Sequence, residues 1–274
     1  MHSRLPLPLR AQLTANVATA ITVVMCASAS MAHAQSHTNV PDFGPNVLVF
    51  SPEMPAAAVQ KKIDAVYAAQ EHSQFGPRRD TLLFLPGEYR VDVPVGYYTQ
   101  VLGVGATPDA VHISGNVHAD ASLPHNNATC TFWRDVEGFA VSPINGTMQW
   151  AVSQAAPFRR MHVRGDLVLH QNHGWASGGW MSDSLIDGNV DSGTQQQWIS
   201  RNSTWKSWTG FNWNMVFVGV TAPPVGEWPK PPFTKIERTP VVREKPFLMV
   251  DGQGAWSVRM PELRRDSVGI TWNK

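Results

Sequence analysis

The chain has 274 residues, with 22 Lys and Arg against 21 Asp and Glu, and it is 43% hydrophobic but only 16% charged. Soluble domains usually carry about 25% charged residues and helical arrays more, so a coiled coil is disfavoured, and eleven tryptophans disfavour a disordered chain. A net charge of +1 provides no field to attract a polyanion, which argues against nucleic acid as a partner.

Residues 1–34 read as an export signal. Arg4 and Arg10 give a positive start, Leu13 to Ala29 is uncharged and mostly apolar, and Ala32-His33-Ala34 places small residues before a cut at Gln35. Asn16, Thr14, Thr19 and Thr22 make the stretch weak as a membrane anchor, so no span is expected after cleavage and the product should be secreted or periplasmic. The leader holds two arginines and no acid, which leaves 20 basic against 21 acidic residues and a net charge of −1. Only Cys130 then remains, so no internal disulfide can form and the domain must be held by its core. Between Thr129 and Thr131-Phe132, Cys130 itself reads as a small buried hydrophobe.

After the short apolar run Val47 to Phe50 comes one convincing helix. Pro55 suits a first helical position, Val59, Ile63, Val66 and Tyr67 make a single apolar stripe, and Gly76-Pro77 closes the segment. From Thr81 onward the chain shows brief β-rich runs between Gly, Asn, Asp and Ser. They are Thr81 to Leu85, Thr99 to Val104, Val111 to Ser114, Phe139 to Ser142, Met161 to Val163, Leu185 to Asp187, Gln197 to Ser200 and Met215 to Val218. Two architectures suit this spacing, an antiparallel sandwich and a parallel β-helix whose coils stack and need an end cap. The β-helix is favoured because the helix precedes all the later strands, because Asn145-Gly146 is the one Asn-Gly hairpin signal, and because Ser192 to Gln197 and Ser200 to Thr204 could stack like amides in ladders.

Leu82-Leu83-Phe84-Leu85-Pro86-Gly87-Glu88-Tyr89, followed by Gly103-Val104-Gly105 and Val111-His112-Ile113-Ser114-Gly115, resembles the opening coils of pectate-lyase-like right-handed β-helix proteins. Phe132-Trp133-Arg134, Ala151 to Val163 and Trp213 to Gly219 resemble a narrower group of secreted bacterial proteins labelled "coagulation factor 5/8 type domain" or "adenylyl cyclase". The resemblance implies an all-β, single-stranded right-handed parallel β-helix over residues 46–220 with an N-terminal capping α-helix. Residues 221–274, opening on the Pro-rich passage Ala222 to Phe233, are then a crossing segment and the start of a C-terminal part. Members of the group continue into a second β-helical half, as two-helix β-1,3-glucanases do, so the chain is expected to be a truncated product or a short member. Cyclase activity is disfavoured by the residues: Gly103-x-Gly105 lacks a third glycine and a following helix, and no phosphate cradle ending in Lys-Ser/Thr exists.

Hydrolysis of a polysaccharide needs two carboxyls flanking one bond, about 5 Å apart for retention and about 6.5 to 9.5 Å for inversion. The densest acid cluster is Asp183, Asp187 and Asp191, and even offsets on a strand would let Asp183 and Asp187 line one groove with Arg201, although Asp187-Gly188 and Asp191-Ser192 read more simply as turns. Asp135 and Glu137 form a second pair, read as a turn at Glu137-Gly138, and Asp166 reads likewise. A lyase would use Arg164, Arg201 or a bound Ca²⁺ against a uronate carboxylate. No acidic loop has Ca²⁺-ligand spacing, and His162, His170 and His173 lack a zinc pattern, so neither a metal nor a cofactor is expected.

Indole faces are flat platforms for sugar rings. Trp175, Trp180, Trp205 and Trp208 lie among Gly, Ser and Lys in loop-like sequence and are the platform candidates, with Arg164 as a further substrate contact, while Trp198 and Trp213 read as core stackers. The expectation is an exported, monomeric, polysaccharide-active protein, a glycoside hydrolase or polysaccharide lyase domain. The alternatives are a non-catalytic carbohydrate-binding or surface module and a structural scaffold.

Overall fold

The computed structural model describes residues 40–272, so the leader read over residues 1–34 lies outside the described residues. The chain is all-β with parallel sheets. Nine strands form a first sheet in the order Val47–Phe50, Asp80–Phe84, Thr99–Gly103, Arg134–Glu137, Pro157–Arg159, Trp180–Ser182, Gln197–Arg201, Asn214–Val218 and Phe233–Ile236. Every neighbouring pair in it is parallel. Between visits to this sheet the chain adds strands to a second parallel sheet, which includes Gly87–Tyr89, Val111–Ser114, Ala140–Ser142, His162–Val163, Leu185–Asp191 and Thr204–Thr209. Parallel pairing throughout both sheets removes the antiparallel sandwich.

Alternation along each strand explains the core. Leu82, Val101, Val136, Phe158 and Met181 stand one above another in the first sheet, and Ile113, Val141, Val163, Ile186 and Trp205 do so in the second. All ten are buried in one continuous cluster. Side chains on a strand alternate between faces, so the residues between these columns point outward.

The helix α1, Ala56–Gln70, adds Val59, Ile63 and Val66 to the same cluster. Pro55 stands one position before the expected one, as the N-cap, and Tyr67 is half-buried at the edge of the stripe. Gln70 ends the helix from within, donating to Asp80 Oδ2 at 2.8 Å and to the Arg78 carbonyl at 3.1 Å.

The first sheet continues past residue 220, because Phe233–Ile236 pairs in register with Asn214–Val218. Beyond it, Phe247–Val250 and Trp256–Arg259 form an antiparallel pair, and Thr239–Val242 pairs antiparallel with Arg264–Ser267. Val250 packs with Leu83, Leu85 and Val104, so this segment covers the outward face of the first strands. That cover explains why Val47 to Phe50 and Leu82 to Leu85 are apolar without alternation: both faces of Leu82 to Leu85 are buried, and those of Val47 to Phe50 are partly so.

Two other expectations change. The strings around Gln195 and Asn202 do not build amide ladders, since Gln195 Nε2 bonds the Val152 and Leu169 carbonyls and Asn202 bonds Ser267, Gly269 and Thr239. Cys130 is half-buried rather than in the core. Gly103 has a packing reason, because a Cβ there would collide with the Gly138 carbonyl of the next strand. Among the described residues no helix is long and apolar enough to cross a membrane.

Candidate functional site

The strand Arg134–Glu137 carries three charges in four residues and is wholly buried. Arg134 points inward, 4.7 Å from the Tyr97 ring, and burial lowers its pKa to about 10. Asp135 and Glu137 point outward, and their surroundings differ. Glu137 is held by Lys245 Nζ at 2.6 Å, a partner from the C-terminal segment. Asp135 has one long contact, from Gln100 Nε2 at 3.3 Å, and its Oδ1 is buried with no hydrogen-bond partner. Burial, and then the neighbouring Glu137 charge, pushes the Asp135 carboxyl up to about 7.

Asp135 opens on a cavity of about 380 Å³ whose other walls include Arg79, Thr81, Tyr98, Gln100 and Trp133. The rings of Tyr98 and Trp133 are stacked with centroids 5.2 Å apart and planes 7° from parallel, and the Arg79 guanidinium lies 3.4 Å from the Tyr98 centroid. Both aromatics immediately precede strands of the first sheet and both have positive φ, 52° each. A bulky residue in that region is strained by roughly 1–3 kcal/mol, so the surrounding structure must hold the pair in place. Ala155 repeats the positive φ and also lines the cavity, where its small side chain leaves room beside Trp133. The arrangement places a flat aromatic surface, a guanidinium and a carboxyl of raised pKa around one space large enough for a small ligand.

The residues expected from sequence are distributed differently. Asp183 is 2% exposed, accepts bonds from Thr271 N at 2.6 Å and Thr271 Oγ1 at 2.7 Å, and its carbonyl accepts from Trp272 Nε1 at 2.8 Å. Burial raises its pKa to about 6, against the opposing pull of the Thr271 bonds. It fastens the end of the described chain and faces no groove. Asp183 turns with φ 50° at the bend between the two sheets, so the even offset to Asp187 carries no shared face.

Asp187 lies half-exposed on the second sheet, 3.2 Å from His162 Nε2, while His162 Nδ1 meets Asp109 at 2.6 Å and Arg164 reaches Asp109 at 2.9 Å. Asp187 and Arg164 are therefore neighbours on the outward face of the second sheet, and Arg201 belongs to the first. There Arg201 pairs with Glu244 and sits 5.3 Å from the Trp180 ring, which Arg159 flanks at 5.7 Å.

Two tryptophan expectations reverse. Trp205 is 4% exposed and continues the core column of Ile186, whereas Trp213 is 57% exposed. Trp208 is half-buried, edge-on to Phe217 with centroids 5.0 Å apart, so it offers only part of a face. Trp175 is exposed and Trp198 buried. His170 and His173 stack on each other, and among the described residues no three His, Cys, Asp or Glu side chains gather as metal ligands. Sequence reading missed the Tyr98 and Trp133 pair, although both stand one residue ahead of a strand in successive turns of the chain.

No protein-family model matches the chain. It is 48% identical over 233 residues to a protein named exo-beta-1,3-glucanase from Streptomyces sp. (strain SirexAA-E / ActE), which covers 84% of this chain and 38% of that protein. The solved structure of sacteLam55A from Streptomyces sp. SirexAA-E superposes with a TM-score of 0.82 at 48% identity over 85% of this chain and 42% of that one. A variant of sacteLam55A in complex with glucose matches equally, with a TM-score of 0.82 at 47% identity. The chain thus spans about four-tenths of the length of the relatives it matches. Neither the clotting-factor label nor the cyclase label appears among them.

Proposed function

We propose that this protein acts on β-1,3-glucan as a glycoside hydrolase, exported and monomeric, with the cavity beside Asp135 as a glucose-binding position. The observation that carries the reading is the 48% identity to an exo-β-1,3-glucanase across most of the described strands. We further infer that the circuits form a right-handed, single-stranded parallel β-helix capped by α1, with residues 1–34 as a signal peptide; the coil strands expected over 46–220 run on to Phe233–Ile236, which confines the crossing segment expected over 221–274 to the part around that strand. The handedness follows from the preference of parallel crossover connections for the right hand.

In this reading Trp133, backed by the Tyr98 ring that Arg79 covers, offers its free face to a pyranose ring, Gln100 bonds a hydroxyl, and Asp135, with its raised pKa, holds a proton near neutral pH. A carboxyl that is still protonated there can donate to a glycosidic oxygen as the bond breaks. Hydrolysis calls for a second carboxyl and water, and no cofactor. A lyase would need a uronate and a cation such as Ca²⁺ against it, and the neutral glucan named for the relative supplies no uronate.

A second reading, a glucan-binding part without chemistry of its own, is favoured by one observation: on the outward face of the first sheet Glu137 is committed to Lys245 and Glu244 to Arg201, leaving Asp135 as the uncommitted acid. Incubation with laminarin, cellulose and xylan separates the two. Glucose release from laminarin alone supports hydrolysis, laminarin binding without release supports the binding part, and neither outcome on laminarin defeats both.

A further inference from the structure

Away from the Asp135 cavity, a second space of about 310 Å³ lies between the Ala106-Thr107 turn, Arg160 and the C-terminal segment. Three guanidiniums line it, from Arg160, Arg259 and Arg264, against a single lining carboxylate, Glu262. Arg160 is 7% exposed. Its Nη2 donates to the Ala106 carbonyl at 2.7 Å and its guanidinium carbon lies 3.9 Å from the Phe247 ring centroid, yet Nη1 is buried and has no partner among the described residues. Arg264 spends its terminal nitrogens on the Gly269 and Val268 carbonyls, both at 3.1 Å, so it is held in place without losing its charge.

A guanidinium keeps its proton in any protein setting, so Arg160 cannot relieve an unpaired buried N–H by becoming neutral. Burial lowers its pKa, and the nearest carboxylates, Asp183 and Glu137, counter this only at longer range. Asp183 is itself engaged by Thr271. An unpaired charged donor is costly, and structures seldom retain one without water or an ion against it. A hydrogen bond between two charged groups is shorter and stronger than one to a neutral acceptor, which makes an anionic oxygen a better partner for Nη1 than a single water.

We propose that the Arg160, Arg259 and Arg264 pocket is a binding site for an oxyanion, meaning a carboxylate, sulfate or phosphate group, either free or carried on a sugar. The site is distinct from the Asp135 cavity and does not depend on the glucan reading.

Isothermal titration of the full chain at constant ionic strength tests this, using sodium sulfate, sodium phosphate and sodium glucuronate as probes and glucose as the neutral control. At least one anion should bind saturably, and Arg259→Ala should weaken that binding about tenfold, the loss expected for one charge-assisted contact. Arg160→Gln should abolish it. Should Arg160→Gln fail to fold, Arg259→Ala decides alone, since Arg259 is exposed and lies outside the core. Glucuronate bound in preference to the inorganic anions assigns the group to a sugar, and the reverse assigns it to a free anion. Absence of saturable binding by all three anions, equal binding by glucose, or unchanged affinity in Arg259→Ala overturns the proposal.

Discussion

Asp135 and Asp183 are both nearly inaccessible aspartates on or beside the first sheet, and burial raises the pKa of each. They differ in what meets their oxygens. Asp183 receives a backbone and a hydroxyl donor from Thr271, whereas Asp135 keeps one oxygen unpaired beside a cavity with aromatic walls. Burial with full hydrogen bonding marks a fastening, and burial without it marks a place prepared for something else. Asp183, from the acid cluster conspicuous in the sequence, belongs to the first kind, and Asp135, from the pair that reads as a turn, to the second.

The largest effect should come from undoing the fastening. Asp183→Ala strands two donors of Thr271 and leaves the 271–272 segment with the Trp272 bond to the residue 183 carbonyl alone of its three bonds to this residue, which should cost roughly 3 kcal/mol in urea unfolding. Asp183→Asn should cost less, because Asn tolerates the left-handed backbone and can still accept a bond. Both variants should retain glucan binding. Loss of binding or turnover with unchanged stability would reverse the roles of the two aspartates.

Asp135→Asn should move stability the other way. A carboxyl raised from near 3.8 to about 7 favours the folded state below pH 4, where it is protonated in both states, and that contribution is lost as pH rises through 7. Replacing it with the neutral amide should therefore stabilise the protein by on the order of 2 to 4 kcal/mol at pH 8 and by almost nothing at pH 4. The same variant should lose glucan turnover or binding by at least about tenfold, because an amide cannot give a proton to the glycosidic oxygen. Thermal unfolding at the two pH values, beside laminarin titration, checks both halves. A variant equally stable at pH 4 and pH 8 relative to the native chain would remove Asp135 from its special position.

Trp133→Ala removes only the platform. Trp133 stands partly in solvent, so stability should change by less than about 1 kcal/mol, while the lost ring contact should weaken laminarin binding some three- to tenfold. Trp205→Ala is its counterpart in the core and should show the opposite division, with stability lost and binding per folded molecule kept.

The strands were legible because brief β-rich runs between turn residues mark them: Val101, Ile113, Val141 and Val163 all lie in runs that form strands, while which residues of a run face inward is set by the register between coils. The stripe of α1 was legible from its own spacing. The strand Arg134–Glu137 was not, since its charges are satisfied by groups remote in the chain, such as Lys245, 108 positions away from Glu137. Trp205 and Trp213 were exchanged because a run of tryptophans among small polar residues does not set its own phase. Only the register against Ile186 turns Trp205 inward. Tyr98 and Trp133 escaped notice because each is ordinary alone, and their meaning lies in occupying equivalent positions in adjacent strands.

The smallest effect should come from the outward face of the second sheet. Asp187 bonds His162 across 3.2 Å while half-exposed, and His162 has a shorter contact with Asp109, which Arg164 also reaches. Removing the weaker and wetter of two carboxylates from such a cluster should change stability by about 0.5 kcal/mol or less. Asp187→Asn should also leave laminarin turnover within about twofold of the native value, because an amide can occupy the same position and the Asp109 contact persists. A hundredfold fall in turnover at unchanged stability would place the chemistry on this second face. Asp187, His162 and Arg164 would then displace Asp135 as the acting groups, and the unpaired oxygen of Asp135 would need another explanation.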